Sequence, residues 1–210
     1  MKIAVVGAAG TIGMRIANEA IRRGHEVTAV VRNPDKLSEH KDKMNIVRAD
    51  AVDPSSIAEA VKGHDAVISA YGPRFGEEEE LLEVARALIE GIRRGGVQRL
   101  LIVGGAGSLI TDSGEALMDT PEFPEEVRTL AKAHADAYGI YQDCDLDWSY
   151  LSPAAIIEPG RRTGQFRIGT DRLITDESGS SRISAEDYAV AMLDELDDPQ
   201  FIRTRFTVAY

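Results

Sequence analysis

Three glycines, at positions 7, 10 and 13 of the stretch VVGAAGTIG, stand behind an apolar run and ahead of a segment with helical spacing. That arrangement suits one task, the holding of a pyrophosphate on main-chain N–H groups at a helix N-terminus. Gly7 permits a tight turn out of a strand, Gly10 lets the backbone approach the phosphates, and Gly13 lets the helix pack against a sheet. The spacing is G-x-x-G-x-x-G rather than G-x-G-x-x-G, so its weight comes from its place between a first strand and a first helix. A P-loop is excluded, because no Gly-Lys-Ser/Thr follows.

A second chemical signal lies at Arg32, 25 positions after Gly7 and at the end of the second apolar run. A site for an unphosphorylated ribose usually places Asp or Glu here. A guanidinium can instead pair with a 2′-phosphate and stack on adenine, which points to NADP(H) over NAD(H). Asp50 follows the third run, where it can meet the adenine edge or cap the local turn. Tyr138 can stack on or hydrogen-bond a substrate, or pack its helix. His134 stands one turn earlier, as a general acid or a structural residue. Arg161 and Arg162, in a Gly-containing loop, can face an anionic acceptor or solvent. The histidines have no metal-ligand spacing with Cys144, and no triad geometry is legible.

These residues need elements to carry them. Lys2–Val6 reads as a buried strand and residues 12–23 as a helix stopped by Gly24. EVTAVVR and MNIVRAD are the second and third strands. Asp53-Pro54 opens a helix, with Asp as cap and Pro in the first turn, and Gly63 ends it. DAVISAYG is a fourth strand. Leu81, Leu82, Ala85, Leu88, Ile89 and Ile92 make one face of a strong helix, with glutamates 77–80 at its positive end. RLLIVGG is a fifth strand, residues 125–142 a helix, and LDWSYLSP a sixth strand that buries Trp148. Ser184 and Asp187 resemble a capping box before a final helix, and RFTVAY is a last strand. Strands alternating with helices predict parallel βαβ units, whose carboxyl-edge loops build the ligand site. Residues 105–125 and 153–183 have no clear period, and both fall at that edge.

The glycine loop, the VRNP after the second strand and the D-x-x-D at 50–53 resemble the atypical short-chain dehydrogenase/reductase superfamily. The segments VGGAGSL, DTPEFP, LDWSYLSPAAIIEPGRRTGQFRIG and ISAEDYAVAMLDEL narrow the likeness. They are similar to a bacterial group of NAD(P)H-binding proteins often described as NADH–flavin reductases, related to biliverdin-IX-beta reductase and more distantly to NmrA-like proteins. The likeness runs nearly end to end. It implies a Rossmann-type α/β fold: a doubly wound parallel sheet in three layers, one domain over 1–210, with 153–183 as substrate-side loops. It also implies contacts. Gly7, Gly10, Thr11, Ile12 and Gly13 would hold the pyrophosphate, Arg32 the 2′-phosphate, and Asp50 and Ala51 would lie by adenine. Ala70, Tyr71 and Gly72 would line the ribose. Gly104, Gly105 and Ser108 would face the nicotinamide, backed by Pro153, Ala154, Ala155 and Ile156. Ser108 takes the place of a substrate-orienting Ser or Thr.

One departure matters. Typical members carry Tyr-x-x-x-Lys, whose lysine lowers the tyrosine pKa for proton transfer. Here Tyr138 precedes Gln142 and Tyr141 precedes Asp145 by the same interval. Proton transfer to or from an alcohol therefore lacks its usual group, whereas a flavin accepts hydride at a ring nitrogen and a proton from water. The leading expectation is an NAD(P)H-dependent reductase of a flavin or similar planar acceptor. The rivals are a non-catalytic NADP(H) redox sensor and an epimerase or dehydratase.

Composition narrows the partners. With 24 Lys and Arg against 35 Asp and Glu, the net charge is −11, which opposes binding to nucleic acid or anionic membranes and leaves a small molecule as the expected partner. One cysteine among 210 residues fits a reducing, cytoplasmic setting.

Overall fold

Apolar side chains point to both faces of the central strands, so the sheet needs cover on each side. Ile3 and Val5 belong to one core, Ala4 and Val6 to the other. The computed structural model describes residues 1–210 and supplies that cover in three layers. Its strands are β1 (Lys2–Val6), β2 (Glu26–Val31), β3 (Asn45–Arg48), β4 (Ala66–Ser69), β5 (Arg99–Val103), β6 (Asp147–Ser152), β7 (Ile156–Glu158), β8 (Arg167–Gly169), β9 (Arg182–Ser184) and β10 (Thr204–Ala209). Its helices are α1 (Thr11–Arg22), α2 (Pro54–Val61), α3 (Glu80–Arg94), α4 (Arg128–Gln142) and α5 (Ala185–Asp197).

The main sheet runs β3-β2-β1-β4-β5-β6-β10-β8. Every pairing in it is parallel except β10 with β8. The strand order reverses between β1 and β4, and in an open α/β sheet that switch point opens a crevice at the carboxyl ends. One core holds Ile16, Ala17 and Ala20 of α1 with Tyr188, Met192 and Leu193 of α5. The opposite core takes Ile57 of α2, Leu88 and Ile92 of α3, and Ala137 and Tyr141 of α4 against Trp148 and Tyr150 of β6. Each fully buried Leu or Ile here contributes about 2 kcal/mol of transfer free energy.

Local chemistry sets the helix starts. The Asp53 carboxylate accepts from the Ser55 amide at 2.9 Å and begins α2. The Ser184 hydroxyl accepts from the Asp187 amide at 2.9 Å and begins α5. The expected capping box is only half formed, because the buried Asp187 carboxylate serves the amides of Thr163 and Gly164 at 2.7 and 2.8 Å and the Tyr210 hydroxyl at 2.8 Å. It thereby pins the loop before β8 onto α5. The helix expected over 125–142 is a 3₁₀ turn at Glu125–Val127 followed by α4.

The short strands β7, β8 and β9 carry no sequence period, and they organise the region expected as loops. β7 pairs with β9 in a separate two-stranded sheet. The Ile110 amide donates to the Asp171 carbonyl at 2.8 Å, and the Leu173 amide to the Ile110 carbonyl at 2.9 Å. The two irregular segments thus brace each other at one edge of the sheet.

Candidate functional site

A cavity of about 1030 Å³ opens at the carboxyl ends of β1, β2, β4, β5 and β6. Four strand spacings separate β2 from β6 in this sheet, about 19 Å in all. The cavity is therefore long in the direction a dinucleotide would need.

Its floor is the turn between β1 and α1. Gly7 has φ +79°, a left-handed conformation open to glycine. A Cβ there would lie 2.5 Å from the Ala70 carbonyl oxygen. A Cβ on Gly13 would lie 2.2 Å from the Gly7 carbonyl oxygen, so this glycine lets helix and turn close on each other. Gly10 is different. A Cβ there would meet only the Gly7 carbonyl oxygen, at 3.3 Å, while Gly10, Thr11 and Ile12 themselves line the cavity. Gly10 is also the N-cap of α1, no side chain caps that helix, and its first turn has no acidic residue. The N–H groups of this first turn thus lack the side-chain partner that α2 and α5 have, and they stand beside open space. The turn fits a pyrophosphate.

At the β2 end, Arg32, Asn33 and Lys36 line the cavity, and Arg74 lines it from the loop after β4. Arg32 is half exposed and lies 3.8 Å from Glu80, a loose ion pair of small energy. The Tyr71 hydroxyl donates to the same Glu80 carboxylate. Burial, and then that carboxylate, raise the Tyr71 pKa well above the phenol range, so it stays a neutral donor. Ala51, Ala70, Tyr71 and Gly72 line this half as well. Asp50 does not; its carboxylate accepts from the Val52 amide at 3.3 Å, the turn-capping arrangement.

The β5 and β6 end is walled by Gly104, Gly105, Pro153, Ala154, Ala155 and Ile156, and by Leu117, Phe123, Val127 and Leu130 from the segment before and within α4. Gly104 and Gly105 leave room for protein: added Cβ atoms would strike the Tyr150 ring at 2.1 Å and the His134 side chain at 2.7 Å. His134 is the one polar side chain at this end. Burial pushes its pKa from the ordinary 6.5 down to about 4, so the imidazole is neutral near pH 7.

Ser108 and Tyr138, expected at the reacting end, are brought together elsewhere and line no part of the cavity. Arg205, nearly buried, donates to the Ser108 hydroxyl at 2.8 Å, pairs with Asp171 at 2.7 Å and lies 5.0 Å above the Tyr138 ring. Tyr138 also packs on Tyr150 and Trp148, with centroids 4.7 and 6.0 Å apart. Burial raises its pKa despite the nearby guanidinium. Arg162 does not reach the cavity either. It is held by the buried Glu19 carboxylate at 2.9 Å, together with Arg22 and Arg23. Lys36, Arg74, Leu117 and Phe123 escaped sequence reasoning because they come from segments without a period.

No group of three or more His, Cys, Asp or Glu side chains is placed to hold a metal ion. No helix is long and apolar enough to cross a membrane.

The family model described as "NAD(P)H-binding" matches residues 7–199. The Bacillus subtilis protein YwnB, itself uncharacterized, is 44% identical over 99% of this chain and 98% of its own. A Bacteroides thetaiotaomicron structure provisionally titled an epimerase has 43% identity and a TM-score of 0.92, over 100% of this chain and 96% of that one. A Streptococcus pneumoniae structure provisionally titled an NADH-flavin reductase has 35% identity and a TM-score of 0.88, over 100% and 99%.

Proposed function

Since the chain belongs to the NAD(P)H-binding family, we propose that it is an NADPH-dependent reductase of a flavin or similar planar conjugated acceptor. The observation that carries this reading is the division of one continuous cavity. A glycine turn lies at its floor, cations gather at one end and an apolar slot forms the other. The turn amides would hold the pyrophosphate, and Tyr71 and Gly72 would border the ribose. Arg32, with Lys36 on the segment that follows it, would favour a 2′-phosphate. The coenzyme, once bound, supplies a hydride to the acceptor, and water supplies the proton that completes the reduction. The protein's part is alignment and the exclusion of water by Leu117, Phe123, Val127 and Leu130.

The face of α4 that meets the cavity bears Leu130, Ala131 and His134, with no tyrosine or lysine. That favours hydride delivery to a conjugated ring over alcohol redox chemistry, and so over an epimerase. Residues 1–210 would work as one dinucleotide-binding unit, with 153–183 shaping the acceptor side.

The test is a titration of NADPH and NADH into wild-type and Arg32→Asp protein, followed by coenzyme oxidation with flavin or quinone present. The wild type should prefer NADPH by about tenfold or more, and the variant should lose that preference. Coenzyme oxidation no faster with acceptor than without it, from protein that binds NADPH, overturns the reductase reading and leaves the sensor.

A further inference from the structure

The walls of the end where the nicotinamide and the acceptor would meet carry almost no polarity. From β5 to the start of α4, and again after β6, every lining side chain is glycine, alanine, proline, aliphatic or phenylalanine, apart from His134. No cation lines this half. Nearby, Arg205 is engaged by Asp171 and Ser108, Arg162 by Glu19, and Arg128 by Glu125 and the carbonyls of Met118 and Phe123, while the exposed Arg161, which has no ion pair, lines no part of the cavity. The covering segment is acidic, with Glu115, Asp119, Glu122, Glu125 and Glu126 against the single Arg128 between 115 and 128. A phosphate entering here would lose water, gain no counter-charge and face like charges.

His134 supplies the one directional group. Its side chain is wedged against Gly105, and no hydrogen bond from within the protein contributes to its titration, which burial alone governs. A neutral imidazole has one N–H donor and one acceptor nitrogen. The ring borders both this slot and the small cavity behind it, and no protein group is hydrogen-bonded to either nitrogen.

Resting on the reductase reading above, we infer that the acceptor is an uncharged, phosphate-free planar ring system, oriented in the apolar slot by a hydrogen bond with His134. The coenzyme's charge is handled at the β2 end, and the acceptor brings none of its own. Among flavins the site therefore takes the isoalloxazine ring bare or with an uncharged side chain. An uncharged quinone satisfies the same walls.

Riboflavin and FMN differ only in the phosphate, which makes them the probes. Binding of each to NADP⁺-loaded protein is followed by quenching of flavin fluorescence, and reduction by loss of NADPH absorbance. Riboflavin should bind, and turn over by kcat/KM, about tenfold or more better than FMN. His134→Leu should weaken riboflavin binding by about tenfold, and His134→Asn should restore part of it. Equal or tighter binding of FMN overturns the inference. So does riboflavin binding that His134→Leu leaves intact, or none at all in protein that binds coenzyme. If riboflavin binds in the expected order but is not reduced, the reductase reading fails while the assignment of the slot stands. If His134→Leu does not fold, the riboflavin-to-FMN ratio of the wild type still decides.

Discussion

At the scale of single residues, Gly10 and Gly13 separate binding from folding. A methyl group at Gly13 would sit 2.2 Å from a backbone oxygen, with no side chain able to yield. Gly13→Ala should cost about 3 kcal/mol, seen as a melting temperature lower by roughly 6–12 °C. A methyl group at Gly10 meets one oxygen at 3.3 Å and otherwise points to free space. Gly10→Ala should melt close to the wild type yet bind NADPH about tenfold or more weakly by calorimetry. If the two variants behave alike, the turn is not the phosphate cradle. His134 makes a third expectation. Its depressed pKa means it does not titrate near neutrality. Acceptor affinity should then stay flat between about pH 5.5 and 8, where an ordinary histidine would produce a step.

Elements explain what was legible. The glycine turn, the Asp53 cap, the acidic start of α3 and the alternation of strands and helices through β6 follow from period, punctuation and short connections, all local properties. Arg32 was found because a strand end delivers it. Ser108 is expected to face the nicotinamide and Tyr138 either to meet a substrate or to pack its helix, but long-range partners decide where they go, and Arg205 on β10 contacts both. One wall of the slot comes from residues 117–127, whose path is set by hydrogen bonds such as Met118 N–H to the Gly107 carbonyl at 2.8 Å. No periodicity announces such a path. Glu19 is the same kind of case. It reads as an ordinary surface helix position, yet it is buried and gathers Arg22 and Arg23 of its own helix region and Arg162 from the loop after β7. Glu19→Ala should lower the urea midpoint, the cost being about 1 kcal/mol, because Arg23 keeps Asp194 and Asp197 and water reaches Arg22 and Arg162. Faster proteolytic cleavage between 158 and 166 would locate the damage in the loop that Glu19 holds.

For the molecule as a whole, two groups make stability depend on pH in the same direction. Burial works to raise the Glu19 pKa, but the arginines outweigh it and hold the carboxyl far below the ordinary 4.5. His134 is lowered from 6.5 to about 4. In both windows the unfolded chain binds a proton that the folded one refuses, so stability is lost as pH falls. The His134 contribution is complete above 6.5 and fades toward about 4. The Glu19 contribution is complete above 4.5 and fades below it. Urea midpoints taken across this range should fall in two stages, and His134→Leu should remove the upper one. NADPH at a hundred times its Kd should add about 2.7 kcal/mol at any pH in that range where the coenzyme binds only the folded chain.

The two ends of the cavity draw on separate stretches of chain: Arg32, Asn33 and Lys36 at one, and residues 103–134 with 153–157 at the other, with the glycine turn and residues 70–74 between them. Changes at one end therefore need not be felt at the other. A lineage, or an engineer, could exchange the nucleotide choice and the oxidant choice independently, as two interchangeable fittings on one frame.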